Sequence, residues 1–145
     1  MDALTAAGLE VEPRSFPEGT KTAADAAAAI GVAVGQIVKS LVFLLDGAPV
    51  MALVAGDNQL DEAKLAAAAG GGTVGRADAD AVRAATGFPI GGVPPVAHDL
   101  RVFVDPDLLR WDEVWAAAGT WSDVFPIAPA DLVRVSAGEV ADLAR

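Results

Sequence analysis

"GQIVKSLVFLLDGAPVMALVAG", residues 35–56, holds two apolar runs either side of an Asp-Gly pair, with one lysine set into the first run. Side chains alternate along a strand. Ile37, Leu41 and Phe43 therefore share the face of Lys39, and Val38, Val42 and Leu44 form the other. A strand apolar on both sides belongs inside a sheet that is covered above and below. "DGAP" (46–49) reads as a turn and "VMALVAG" (50–56) as a second strand, so the two are expected to pair as an antiparallel hairpin. An ammonium in such a strand must find a partner, reach water or lose its proton. Snorkelling is the plain solution, because Lys39 comes early in the strand and its flexible stem can carry the charge outward.

Helix signals flank this hairpin. "TKTAADAAAAIG" (20–31) predicts a helix with Thr22 as cap, Asp25 completing a capping box and Gly31 as its end. "DEAKLAAAAGGG" (61–72) predicts another, capped by Asp61 and stopped by Gly70 to Gly72. "TVGRA" (73–77) is a short strand, and "DADAVRAATG" (78–87) a helix from Asp78 to Gly87. "FPIGGVPPVAHD" (88–99) holds three prolines and two glycines, which suit neither a helix nor a strand ladder. Beyond it come a strand at 101–105, a turn of helix at 106–112, strands at 113–119 and 124–128, and a helix opened by Pro129. Residues 1–19 read as a short helix and an irregular stretch around Pro13 and Pro17, an N-terminal extension. The order is mixed and shows no internal repeat. It predicts one domain over residues 1–145, of the α/β class in its mixed α+β form, with helices around a mixed sheet.

The chain has 145 residues, 53% of them hydrophobic, which suits one globular domain with a real core. Uninterrupted apolar runs fall short of the roughly 20 residues that a membrane span needs. The first residues lack the basic and apolar regions of a signal peptide. With no cysteine there is no disulfide frame and no thiolate nucleophile. A cytoplasmic protein with no membrane partner is expected. The net charge is -10, from 20 acids against 10 bases. That argues against a free-standing reader of duplex DNA, which shows a basic footprint. It leaves room for a protein that grips only the end of a nucleic acid, or one docked there by a partner.

Several familiar sites are absent. One histidine and no cysteine leave carboxylates as metal ligands, and the pairs Asp78/Asp80 and Asp105/Asp107 stand where helices start, so N-capping is their expected role. No metal or cofactor is expected. The glycines at 70–72 follow a helix instead of opening one, unlike a phosphate loop. His98 and Asp99 are neighbours in sequence, which does not make them partners in a triad. Lys39 and the loop "GGVPP" (91–95) remain. Glycines let backbone N–H groups approach a ligand, and prolines keep those donors aimed, as an oxyanion hole requires. "AAAGT", ending in Gly119 and Thr120, is a second place where a ligand can come close. Each signal has a bland reading too, the loop as a rigid connector.

In order along the chain stand "TAADAAAAIGVAVGQIVKSLVF", "MALVAGDNQLDEAKLA", "TGFPIGGVPPVAH", "VFVDPDLL" and "AAAGTWSDVFPIAPADLVRV". This set resembles the YbaK/ProX family of aminoacyl-tRNA editing domains, which also occur inserted in bacterial prolyl-tRNA synthetases. The resemblance covers about residues 20–143. It implies a mixed, partly barrel-like β-sheet flanked by helices. It also implies hydrolysis of the ester that joins a wrong amino acid to the 3′ end of a tRNA, alanine or cysteine on the proline tRNA being the expected substrates. By the same resemblance Lys39 is essential and holds the terminal adenosine and its phosphates in an apolar cleft. Gly91, with Pro95, shapes the loop whose N–H groups receive the substrate carbonyl. Ser40, Gly92, Gly119 and Thr120 are the further expected substrate contacts. The substrate's own ribose hydroxyl assists the water, so no protein base is implied. The expected partners are the tRNA acceptor end and a prolyl-tRNA synthetase.

The chain departs from the family in one segment. Some members carry a histidine after A-G-T, where this chain has Trp121, Ser122 and Asp123. That leaves the amino acid open among alanine, cysteine, serine and threonine. Two other functions compete: a non-catalytic module that binds a nucleotide or tRNA end and regulates a synthetase, and an esterase of small aminoacyl esters.

Overall fold

The computed structural model describes residues 14–15, 23–87, 100–117 and 123–144. The expected N-terminal helix, the Thr22 cap and the loop 88–99 lie outside the described residues. The hairpin forms as β2 (Val38–Leu45) and β3 (Ala48–Ala55), in antiparallel register from Val38 opposite Ala55 to Leu45 opposite Ala48. Its two-residue turn places Asp46 at φ 50° and Gly47 at φ 86°. Positive φ at both central positions matches the twist of the strands, and Asp-Gly tolerates it. The second strand starts at Ala48, two residues earlier than expected, and takes in Pro49. Pro49 faces Leu44, one step from the turn-closing pair Leu45 and Ala48, where neither residue bonds across the ladder. The missing proline N–H therefore costs β2 no hydrogen bond.

Among the described residues there are two sheets. The larger has the order β4-β2-β3-β5-β8, with β4 at Val74–Arg76, β5 at Arg101–Val104 and β8 at Glu139–Val140. It is mixed: β2 is antiparallel to β3 and β4, whereas β3 runs parallel to β5, and β5 to β8. The smaller sheet is antiparallel, in the order β1-β7-β6, with β1 at Arg14–Ser15, β6 at Val114–Ala117 and β7 at Asp123–Ile127. Arg14 and Ser15 thus form a short strand where the sequence predicted irregular chain. Their partners, Val124 and Asp123, are more than a hundred positions away. A parallel bridge from Ile37 to Trp115 joins the sheets where β2 begins.

β2 and β3 are covered on both faces, as their two-sided apolar pattern predicts. One face contributes Val38, Val42, Met51, Leu53 and Val104 to a core shared with Val114, Phe125 and Ile127 of the smaller sheet. The other contributes Val50, Ala52, Val54 and Phe103, packed with Leu65 and Leu143, and Leu41 and Phe43 lie against them. Helices α1 (Ala23–Ile30), α2 (Glu62–Ala68), α3 (Ala79–Thr86) and α4 (Pro129–Ser136) fall where their signals stand. Asp61 accepts from the N–H groups of Ala63 and Lys64 at 2.9 and 3.2 Å, and Asp78 from that of Ala81 at 2.8 Å. Such caps contribute about 1 kcal/mol each. No helix among the described residues is long and apolar enough to cross a membrane.

Candidate functional site

The parallel strands β3 and β5 end side by side, and β2 begins beside them. Three segments therefore meet at one edge: the start of β2 with Lys39, the turn "GDN" (56–58) after β3, and "DPDLLR" (105–110) after β5. Crevices outside the carboxyl ends of parallel strands are where open α/β sheets bind ligands.

Asp105 organises this edge. Its N–H donates to the Leu53 carbonyl at 2.8 Å, which continues the β3–β5 ladder by one rung. Pro106 follows, starts a 3-10 helix (Pro106–Arg110) and stops the strand. The Asp105 side chain then replaces the backbone acceptor that the ladder has lost. Its Oδ2 accepts from the Ala55 N–H at 3.1 Å and from the Asn58 side-chain amide at 2.8 Å. Its Oδ1 accepts from the Asp107 N–H at 3.0 Å, which caps the 3-10 helix. The carboxylate is only 1% exposed. A buried charge is tolerated when its lone pairs are satisfied in this way. The capping role expected of Asp105 is present, and it is one of three.

Asn58 is held from two sides. Its side-chain amide also donates to Asp107 Oδ2 at 2.7 Å, and its own N–H closes a turn onto the Ala55 carbonyl at 2.9 Å. Gly56 allows this turn to sit tightly, because a Cβ there would lie 2.3 Å from the Val34 carbonyl oxygen. The Lys39 ammonium donates to the backbone carbonyl of Asn58. Burial pushes the Lys39 pKa below its ordinary 10.5, while Asp57 and Asp105 pull it back up. Lys39 thus finds a partner, and its surroundings differ from the expected apolar cleft. Its stem lies on the apolar face, but its charged end meets an acidic, hydrogen-bonded rim. Arg110 stands at the same rim, 3.8 Å from Asp57 and with its guanidinium 5.0 Å from the centre of the Trp111 ring.

Of the residues expected at the site, Lys39 and Ser40 are described. The alternation of β2 puts Ser40 opposite Leu53, on the face away from Lys39. Its hydroxyl is buried and has no hydrogen-bond partner among the described residues. Gly91, Gly92, Pro95, His98, Gly119 and Thr120 lie outside the described residues. Sequence reasoning missed Asp57, Asn58 and Asp105 as neighbours of Lys39, and Arg110 as the partner of Asp57. The available signal was two short polar segments, each directly after a buried strand.

This edge belongs to a known fold. A model of the aminoacyl-tRNA editing domain matches residues 17–135, and the chain belongs to that family. The resemblance to YbaK-type editing domains is therefore borne out, as is the mixed sheet with flanking helices. Among its curated relatives, the proline–tRNA ligase of Nitratidesulfovibrio vulgaris (strain DP4) is 38% identical over 107 residues, which cover 72% of this chain and 18% of the ligase. The chain thus spans less than a fifth of the ligase it matches. The uncharacterized protein YwhH of Bacillus subtilis (strain 168) is 33% identical over 134 residues, covering 90% of this chain and 85% of that one. A solved structure described as a candidate trans-editing enzyme for prolyl tRNA synthetase has a TM-score of 0.93 and 43% identity. It covers 99% of this chain and 93% of that one.

Proposed function

We propose that this chain is a trans-editing deacylase, which hydrolyses the ester of alanine or cysteine wrongly attached to the proline tRNA. The observation that carries this reading is Lys39, whose ammonium donates to the Asn58 backbone carbonyl at the edge where β3 and β5 end, with Arg110 paired to the neighbouring Asp57. Lys39 can trade that carbonyl for a phosphate or ribose oxygen of the tRNA terminus with little rearrangement. The exposed Arg110–Asp57 pair is worth about 0–1 kcal/mol, so Arg110 is also available to an incoming phosphate.

In the reaction, water adds to the ester carbonyl carbon and the carbon–oxygen bond to the ribose breaks. The ribose oxygen leaves as a hydroxyl with one proton from the water, and the amino acid leaves as a carboxylate as the other proton passes to solvent. The loop at Gly91, Gly92 and Pro95 supplies N–H donors to the developing oxyanion, and Gly119 and Thr120 border the amino acid. The adjacent ribose hydroxyl assists the water. The partners are the tRNA acceptor end and a prolyl-tRNA synthetase that releases the mischarged tRNA, in the cytoplasm.

Deacylation by the purified protein across a panel of mischarged tRNAs tests the proposal. Hydrolysis of alanyl or cysteinyl proline tRNA, with the correct prolyl ester spared, supports it. Binding without hydrolysis would replace it with a regulatory binding module. Equal rates on free aminoacyl esters would replace it with a general esterase.

A further inference from the structure

The contacts of Lys39 raise a question of precision. A lysine side chain has four rotatable bonds and strong hydration, so a strand alone does not fix its ammonium. In this protein the ammonium donates to the Asn58 carbonyl, which belongs to a turn and not to the β2–β3 ladder. A turn carbonyl is a poor anchor unless the turn itself is held. The Asn58 side chain holds it, with its amide between Asp105 at 2.8 Å and Asp107 at 2.7 Å. Asp105 in turn is locked by the Ala55 and Asp107 N–H groups and is almost fully buried.

We propose that Asn58 is a positioning residue, clamped by Asp105 and Asp107 so that its backbone carbonyl fixes the Lys39 ammonium at the edge where β3 and β5 end. The importance of this for turnover rests on the editing function proposed above; the clamp itself does not. The charged groups acting on Lys39 among the described residues are Asp57, after β3, and Asp105, after β5; Asp107 shares the Asn58 amide with Asp105, and Arg110 pairs with Asp57. None of these charges changes when Asn58 is truncated. Asn58→Ala therefore isolates the clamp from the local field.

The test follows the Lys39 ammonium directly by nitrogen-15 NMR on the intact protein, with Lys39→Met identifying its signal. In the parent, the ammonium protons should exchange slowly with water and the amine should titrate below 10.5. In Asn58→Ala the protection should fall at least about tenfold. The Lys39 pKa should fall further, because a hydrogen bond that favours the charged form is lost. Deacylation should drop through kcat more than KM, since the cation is displaced and not removed. Should Asn58→Ala fail to fold, Asn58→Ser, which also loses the amide held by Asp105 and Asp107 and changes no charge, should give a change of the same sign. An unchanged Lys39 signal and titration in a folded variant would overturn the proposal, whatever the deacylation rate. Absence of deacylation in the parent would overturn the editing function alone, leaving the NMR result to judge the clamp.

Discussion

Lys39 and Asp105 are joined through one residue: the lysine donates to the Asn58 carbonyl, and the aspartate accepts from the Asn58 amide. The cation at this sheet edge is thereby tied to a carboxylate that also ends the β3–β5 ladder and caps a helical turn. The placement of the Lys39 ammonium and the stability of the fold share one buried group. Its removal should therefore be far more disruptive than removal of the lysine.

Lys39→Ala should abolish nearly all deacylation while leaving the protein folded. The substitution removes a partly buried charge, and the Asn58 carbonyl it exposes can accept from water. Asp105→Ala should instead destabilise by about 1–3 kcal/mol, since it strands the buried Ala55 N–H and removes one of the two acceptors of the part-buried Asn58 amide. Thermal melts of both variants beside a deacylation assay check the contrast. A collapse of stability in Lys39→Ala would make the lysine structural.

The lowered pKa of Lys39 has a consequence for stability. Burial makes the folded protein hold this proton less tightly than the unfolded chain does. Between the folded pKa and 10.5 the unfolded chain binds more protons, so this group's contribution to stability rises with pH across that window. Below the window its cost is fully present. Lys39→Met cannot titrate, so its stability relative to the parent should be most favourable at neutral pH and should decline as the pH nears 10.5. Denaturant unfolding of both proteins at several pH values measures this. A constant difference would show that Lys39 titrates as a free lysine.

Gly91→Ala and His98→Ala separate two mechanisms. Loss of one oxyanion donor costs about 10²–10³ in rate, and a methyl group at Gly91 should obstruct approach to such donors by at least that much. His98→Ala should be far milder, since no proton transfer is assigned to it. Single-turnover rates on a mischarged tRNA give both numbers. Equal and severe losses would indicate a histidine-based mechanism.

Charge limits how the proposed editing domain can hold RNA. With a net charge of -10, it should touch few phosphates, through Lys39 and a small number of other cations. The structure puts Arg110 at that rim, whereas Arg76 pairs with Phe43, four residues along β2 from Lys39. Each contact on a single strand adds roughly -0.7 to the slope of log K against log salt, so about two or three contacts should give a shallow slope. Arg110→Ala should reduce it by about one contact's worth, and Arg76→Ala should leave it unchanged. Binding of whole tRNA and of an acceptor-stem mimic over a salt series measures this. A steep slope with a strong preference for whole tRNA would reject recognition of the end alone.

Local features of this protein were legible in its sequence because they depend on neighbours a few positions apart. Asp-Gly set the hairpin turn, Asp61, Asp78 and Asp105 each stood one residue before the helix they cap, and two-sided apolarity marked β2 and β3 as interior strands. The ordered motifs also identified the family and singled out Lys39. Partners of that lysine were a different matter. Asn58 and Asp105 are 47 positions apart and meet because β3 and β5 lie parallel and end together. The strand Arg14–Ser15 exists because β7 offers it a free edge. Such pairings are chosen by the burial of both sheet faces at once, and no local pattern encodes them. The sequence alone thus determined that a lysine would stand at the start of an interior strand. Only the tertiary structure decided that it would meet a clamped carbonyl on an acidic rim, because that rim is built from strand ends brought together by folding.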